Sequence, residues 1–299
     1  MTRIPVSDGV GSRLGDFSAP AVPQSIHERS PRVLLPNDKL LLVLLGEHAV
    51  LTTNQLIRLS GLPERTVQHR LGRLERSGLV RRDRPHREIG TAPYHCWLTV
   101  FGANAIGADV PARWDEDTPA MRCRAALIEF WLQLRNRGVG DFALSSWQRL
   151  AKGIPVRDPA RGVTRLLPVE SALSVTRGDV AHRALVLTHT EQMPPARLTA
   201  ILGRYATYVE SRDRAAAVLL ILTLTARRQA TVLSAAEALT TASVTSLTPR
   251  AIATAMRNVA VAASEPRPAE LVTDSCWRSP GDPKPRRLAD VLSLSAGAQ

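Results

Sequence analysis

The chain has 299 residues, of which 44% are hydrophobic, so it can bury a sizeable core and has the length of two domains. Lys and Arg outnumber Asp and Glu by 39 to 27, and the resulting net charge of +12 favours a polyanionic partner. Three widely spaced cysteines indicate neither a disulfide framework nor a zinc ribbon.

The sequence contains no apolar run of membrane-spanning length, and its first thirty residues lack the apolar region of a signal peptide. We therefore expect a cytoplasmic protein, associated with a nucleoid or a plasmid and without membrane contact. A high-GC coding sequence would also enrich arginine, so the positions of the charges are more informative than their number.

The first 36 residues are rich in Ser, Pro and Gly and show no hydrophobic period, which predicts a flexible tail. Asn37 or Asp38 is then predicted to cap a short apolar helix, LLLVLLGEHAV. After an extended pair, Val50-Leu51, the pair Thr52-Thr53 is predicted to open a second helix, NQLIRLS.

The stretch from Leu62 to Leu79, LPERTVQHRLGRLERSGL, has the pattern of a DNA-recognition helix. Pro63 suits a first helical position, and Val67, Leu71 and Leu74 form one apolar stripe. The opposite face carries basic and polar groups around a glycine, which suits contact with phosphate or guanine. The predicted DNA contacts are Arg65, Gln68, His69, Arg73 and Arg76. A solvated helix would show the same arginines, so the flanking segments decide between the two interpretations.

The next segment predicts a wing. Leu79–Arg84 has the pattern of a strand, a turn-rich loop follows, and Tyr94–Leu98 has the pattern of a returning strand. Arg58–Arg87 contains nine arginines and three acids, an excess that suits a wing lying along a phosphate backbone. The predicted wing contacts are Arg81, Arg82, Arg84 and Arg87. With a helix over Val100–Gly107, this order predicts a winged helix-turn-helix that binds DNA; the alternative is a winged helix used only for protein contacts.

An acidic, proline-containing segment, residues 109–117, is predicted to be a linker, since the spacing of its acids fits no calcium loop. The rest of the chain has the order helix, three strands, helix, strand, which is typical of an α/β domain. Within it, the basic segment Gln148–Leu167 is predicted to be loop-rich. The predicted organisation is a flexible tail at 1–36, a winged helix-turn-helix domain at 37–108, a linker at 109–117, an α/β domain at 118–275 and a Pro/Arg-rich tail at 276–299.

The segment from Leu40 to Ile106 resembles the replication-relaxation proteins of actinobacterial plasmids and phages. The resemblance rests on an apolar helix followed by LTTNQL, ERTVQHRLGRLERSGLV and PYHCWLTVFG, in this order. It continues more weakly through Trp131, Trp147 and the CWRSPG sequence at Cys276–Gly281. The resemblance implies a DNA-binding protein of a mobile element that takes part in replication or its control.

Members of that family often have a second half similar to a restriction-endonuclease-like core. Such a core holds Mg²⁺ with an acid after a proline on one strand and with Glu-x-Asp or Glu-x-Lys on the next. Here the first place reads Pro168-Val169-Glu170, shifted by one position, and the second reads Thr188-His189-Thr190, without a carboxylate. The resemblance therefore implies a degenerate core without catalytic activity, in which Glu129 and Glu170 are structural or solvated acids.

The sequence thus predicts an α+β protein, a winged helix-turn-helix followed by an α/β domain, that binds double-stranded DNA without being an enzyme. It would act in replication or relaxation, or in their transcriptional control, without a cofactor or a metal. A second copy in a homodimer and replication proteins are further candidate partners. Two alternatives stay open: a metal-dependent nuclease that uses Glu129, Glu170 and Glu191, and an adaptor whose winged helix binds another replication protein. No phosphate-binding glycine loop occurs, so nucleotide hydrolysis is not indicated.

Overall fold

The computed structural model describes residues 34–84, 93–108, 119–150, 152–158, 162–189, 193–211, 217–241, 249–264, 271–282 and 284–293. The predicted N-terminal tail up to residue 33, the tip of the predicted wing with Arg87, the predicted 109–117 linker and Glu191 lie outside the described residues. Residues Pro36–Gln299 form one compact unit of mixed α and β structure. No helix in the described part is long and apolar enough to cross a membrane.

The first part of this unit contains four helices and a small antiparallel sheet with β3 in its centre and β1 and β2 at its edges. Leu41, Leu45, Leu56 and Leu71 are fully buried and form the centre of this part. Its elements are α1 (Pro36–His48), β1 (Val50–Thr52), α2 (Thr53–Ser60), α3 (Glu64–Arg76), β2 (Val80–Asp83), β3 (His95–Leu98) and α4 (Val100–Ile106).

The helix boundaries follow from local sequence. The Thr52 side chain accepts a hydrogen bond from the Gln55 backbone N–H at 3.2 Å, and the Gln55 side chain accepts one from the Thr52 N–H at 2.9 Å. This capping box starts α2 where the sequence predicts a helix start. Helix α1 differs from its prediction, because it begins at Pro36 and Asp38 is a fully buried residue of its first turn rather than a cap.

The second part is built on a five-stranded sheet with the order β10-β9-β8-β7-β4, in which β8, β9 and β10 are parallel and β7 and β4 antiparallel. One core cluster includes Leu187 and Tyr205, and a second includes Phe130 and Trp277. The elements are α5 (Pro119–Arg137), β4 (Ala143–Arg149), β5 (Ile154–Arg157), β6 (Thr164–Leu167), β7 (Ser171–Arg177), β8 (Val180–His189), α6 (Pro195–Ser211), β9 (Val218–Thr223), α7 (Ala226–Thr241), α8 (Pro249–Arg257), β10 (Val259–Ala263) and α9 (Leu288–Ser293).

Two segments are more ordered than their composition predicts. The Gln148–Leu167 segment contains the end of β4 and a separate two-stranded hairpin, β5–β6, which is anchored because Val156 and Leu167 are buried in the core. In the segment predicted to be a C-terminal tail, Trp277 is fully buried and bridges to Arg286, and α9 packs into the core.

Helix α5 joins the two parts of the unit. The Gln55 side-chain amide of α2 donates a hydrogen bond to the Ala125 carbonyl of α5 at 2.8 Å, and Arg58 of α2 forms a 2.6 Å ion pair with Glu129. Met121 of α5 is fully buried in a cluster with Val50 and Trp97 of the small sheet.

The end of α1 is attached to the second part as well. The Arg124 guanidinium donates to the His48 carbonyl at 3.4 Å, and Arg149 of β4 donates to the Glu47 carbonyl. The centres of the His48 and Trp131 rings lie 5.4 Å apart. Arginines at the carbonyl end of a helix also complement its dipole, so these contacts stabilise α1 and the junction together.

Candidate nucleic-acid interface

Helix α3 is held on the core by Val67, Leu71 and Leu74, which are at most 2% exposed. The turn after α3 is fixed by α4: the Thr99 hydroxyl donates to the Gly78 carbonyl at 2.6 Å, and the Thr99 N–H donates to the Leu79 carbonyl at 3.1 Å. These contacts set the direction in which β2 leaves α3.

The outward side of α3 is formed by Arg65, Gln68, His69 and Arg76, all of which are exposed. Gln68 donates to Glu64 at 2.8 Å, and Arg76 donates to the Gly72 carbonyl at 3.1 Å. Within the described residues, nothing binds the side chains of Arg65 or His69. This side therefore offers guanidinium, amide and imidazole groups that can bind phosphate or base edges.

At Gly72, in the middle of this outward side, an added Cβ would meet no atom within 4 Å. The glycine thus leaves a gap between the side chains of neighbouring turns, through which another molecule can approach the helix backbone.

Arg73, which the sequence pattern placed among the DNA contacts, has its guanidinium on Asp38 of α1. The Asp38 carboxylate is fully buried, and Arg70 of α3 lies 3.8 Å from its second oxygen. The Arg73 side chain is 32% exposed. In this structure its charge is used to hold α3 against α1.

The arginines in and just after β2 also include one with an ion-pair partner and two that are exposed. Arg82 forms a two-donor ion pair with Glu75 of α3, one of its hydrogen bonds being 2.9 Å long. Burial works against the charged form of Arg82, but the hydrogen bond and the charge of Glu75 outweigh it and raise the arginine's pKa. Arg81 and Arg84 are exposed.

Tyr94, at the start of the returning strand, supports two of these arginines. The Arg84 guanidinium lies 4.2 Å from the centre of its ring, and that of Arg82 lies 5.2 Å from it. The sequence signals for Tyr94 and Asp38 were weak, because a tyrosine beside a proline and an acid in a first helical turn both have ordinary structural explanations.

Of the three acids considered for a nuclease site, the two that the structure describes, Glu170 and Glu129, have protein partners. Glu170 forms a 3.3 Å ion pair with Arg124 and accepts a hydrogen bond from the Thr188 hydroxyl. Glu129 accepts from Arg58 and, at 3.2 Å, from the Gln133 amide. Among the residues that the structure describes, no group of three or more His, Cys, Asp or Glu side chains is placed to hold a metal ion.

The chain is similar to a known protein family. The family model described as replication-relaxation matches residues 42–219, which span both parts of the compact unit. No curated protein matches the chain closely enough to indicate a relationship.

Proposed function

Because the chain belongs to the replication-relaxation family, whose model matches more than half of its residues, we propose that it is a double-stranded DNA-binding protein of a mobile element. It acts in replication or relaxation, or in their transcriptional control. The family match agrees with the resemblance inferred from the sequence. The observation that carries the DNA-binding proposal is the outward side of α3, where Arg65 and His69 have no protein partner among the described residues.

The proposed DNA-binding unit is a winged helix-turn-helix. Helix, short strand, two helices joined by a tight turn and an antiparallel strand pair follow one another in the order of that fold, with α3 as the recognition helix and the β2–β3 connection as the wing. Gly61, with φ of +67°, makes the tight turn between α2 and α3.

We assign three roles to the residues that the sequence predicts as DNA contacts. Arg65, Gln68, His69 and Arg76 are exposed on α3 and are proposed to contact base edges in the major groove. Arg81 and Arg84, with Arg87 from the sequence, are proposed to contact the phosphate backbone. Arg73 and Arg82 are proposed to act as positioning residues, because Asp38 and Glu75 hold their guanidinium groups.

We propose that the second part carries no catalytic activity. When the separate β5–β6 hairpin is left out, α5, β4, β7, β8, α6 and β9 follow one another as helix, three strands, helix and strand, an order that supports a restriction-endonuclease-like core. At the place where such a core binds a metal, Arg124 and the Thr188 hydroxyl contact the Glu170 carboxylate. A guanidinium next to this carboxylate competes with a dication for the same oxygens.

The DNA-binding proposal is tested by selecting bound fragments from the element's own DNA and measuring affinity for the selected duplex at two salt concentrations. Arg65→Ala or Arg76→Ala should cost about 1–3 kcal/mol on the selected site and relax its sequence preference. Arg84→Ala should weaken binding to all sequences and reduce the salt slope by about 1. Arg257→Ala, an exposed arginine in the last turn of α8, is the matched control.

Parental affinity in all three variants would contradict the proposal. The absence of enzymatic activity is tested separately, by incubating the protein with supercoiled and linear plasmid and Mg²⁺ or Mn²⁺. Cleavage that disappears in Glu170→Ala would show that the second part is a nuclease.

A further inference from the structure

The β5–β6 hairpin is a separate two-stranded ribbon attached to the second part at its base. Val156 and Leu167 are at most 4% exposed and pack in the core that contains α6. Arg204 of α6 donates a hydrogen bond to the Leu166 carbonyl at 2.8 Å. At Gly153, where φ is +75°, an added Cβ would collide with the Leu167 carbonyl, so the two strands meet closely at the base. The ribbon therefore has a defined register and a fixed base.

No element among the described residues covers one face of the ribbon. Pro155 pairs with Leu166 and Arg157 pairs with Thr164, so these four side chains share a face. All four are exposed, and Leu166 is 49% exposed although it is apolar. Val163, next to the turn, is 48% exposed.

The charge of the ribbon is positive and unbalanced. Lys152, Arg157 and Arg165 are exposed, and none of them has an ion pair or hydrogen bond within the described residues. In the sequence, Asp158 is the only acid between residues 152 and 167. Such a ribbon attracts a polyanion, and its exposed apolar groups need a partner with apolar surface as well.

We propose that this hairpin is a second contact with duplex DNA, outside the site bound by α3. The inference rests on the proposed DNA-binding function. A major groove is about 12 Å wide and admits a two-stranded ribbon. Arg157 and Leu166, on the uncovered face, contact a phosphate and thymine methyl groups or sugars. Arg165 pairs with Val156 and therefore lies on the other face, where Arg165 and Val163 are both exposed and contact the opposite wall of the groove.

The two contacts belong to one binding event. Residues Pro36–Gln299 form one compact unit, and Gln55 and Arg58 attach α2, which precedes α3, to α5 of the second part. A single DNA molecule long enough to reach both surfaces is therefore bound by both, and the hairpin raises affinity in the flanking sequence through the phosphate backbone.

The test uses the full chain and two duplexes: the selected site alone, and the same site with about 20 base pairs of flanking duplex on each side, two helical turns. Arg157→Ala/Arg165→Ala should bind the long duplex about tenfold more weakly and lower its salt slope by about 2, with no change on the short duplex. Arg65→Ala should weaken binding to both. Arg137→Ala/Arg257→Ala, exposed arginines in the last turns of α5 and α8, is the control.

If the hairpin variant binds both duplexes like the parent while Arg65→Ala is defective, the hairpin inference is wrong and the proposed function stands. Equal weakening on both duplexes would also refute a contact outside the α3 site. If the parent binds neither duplex, the proposed function itself fails. A photo-cross-linking residue at position 163 provides a second readout: a cross-link to DNA supports the proposal, and one to a protein chain alone overturns it.

Discussion

The ion pair between Asp38 and Arg73 predicts a stability defect for a variant that the sequence pattern would assign to DNA reading. Arg73→Ala removes the guanidinium that contacts a fully buried carboxylate. The fold then has to keep a desolvated negative charge with Arg70 as the neighbouring cation, 3.8 Å away. We expect Arg73→Ala to destabilise the protein and to affect DNA binding only through the position of α3.

The size of the effect follows from the exposure of the two partners. Removing one member of a fully buried pair costs about 3–5 kcal/mol. Arg73 is 32% exposed and Arg70 remains nearby, so we expect about 2–3 kcal/mol for Arg73→Ala. Asp38→Ala leaves two arginines that can reach water, and we expect a cost of about 1 kcal/mol. The loss in the free energy of unfolding of the double variant should be smaller than the sum of the losses in the two single variants, by about 1 kcal/mol or more.

The assay is urea unfolding followed by circular dichroism for the parent, both single variants and the double variant. Arg65→Ala is the control, because its exposed side chain should change stability by less than about 0.5 kcal/mol. DNA affinity is measured at a temperature where every variant is folded. If Arg73→Ala has parental stability but loses sequence preference, Arg73 reads bases and the reasoning from the ion pair is refuted.

Two further predictions concern Gly72 and His48. Gly72→Ala should raise stability by about 0.5–1 kcal/mol, because the added Cβ meets no neighbouring atom, yet it should weaken DNA binding. The control is Gly203→Ala, at an equally open position in α6, which should give only the stability gain. Unchanged DNA affinity in both variants would show that α3 is not approached closely at Gly72. Burial, with help from Arg149 and Arg124, lowers the pKa of His48 from 6.5 to about 4. The unfolded chain therefore binds an extra proton between these pH values, and stability should fall as pH drops through that window, by at most about 3 kcal/mol. The measurement is the urea midpoint of unfolding at several pH values for the parent and for His48→Gln. If the midpoints of the two proteins change with pH in the same way, His48 is not the cause of the pH dependence.

Most helices and strands were predictable from the sequence because their signals are local. Thr52 and Gln55 form the capping box that α2 needs, and Val67, Leu71 and Leu74 repeat at the spacing of one helical face. The outward positions of Arg65 and His69 follow from the same periodicity. The family could also be recognised, because its sequence pattern is contiguous over the first part.

The ion pairs of Arg73 and Arg82 could not be predicted, because their partners are set by tertiary contacts. Helical periodicity places Arg73 on the flank of α3, but nothing local shows that a buried carboxylate from 35 residues earlier lies beside it. Asp38 at a helix start suggests a cap, whereas here packing turns it inward. Likewise, proline and arginine content predicted a tail after residue 275, although burial of Trp277 offsets those local preferences.

The attachment of α2 and the small sheet to α5 limits how this protein can be divided or recombined. A fragment that ends at Ala108 would uncover Val50 and Trp97, which Met121 now covers, and would leave the Gln55 amide without the Ala125 carbonyl. Chimaeras that transplant the segment α1–α4 between relatives should therefore include α5 or redesign these contacts. In evolution, the two halves of such a chain would be exchanged together more readily than separately.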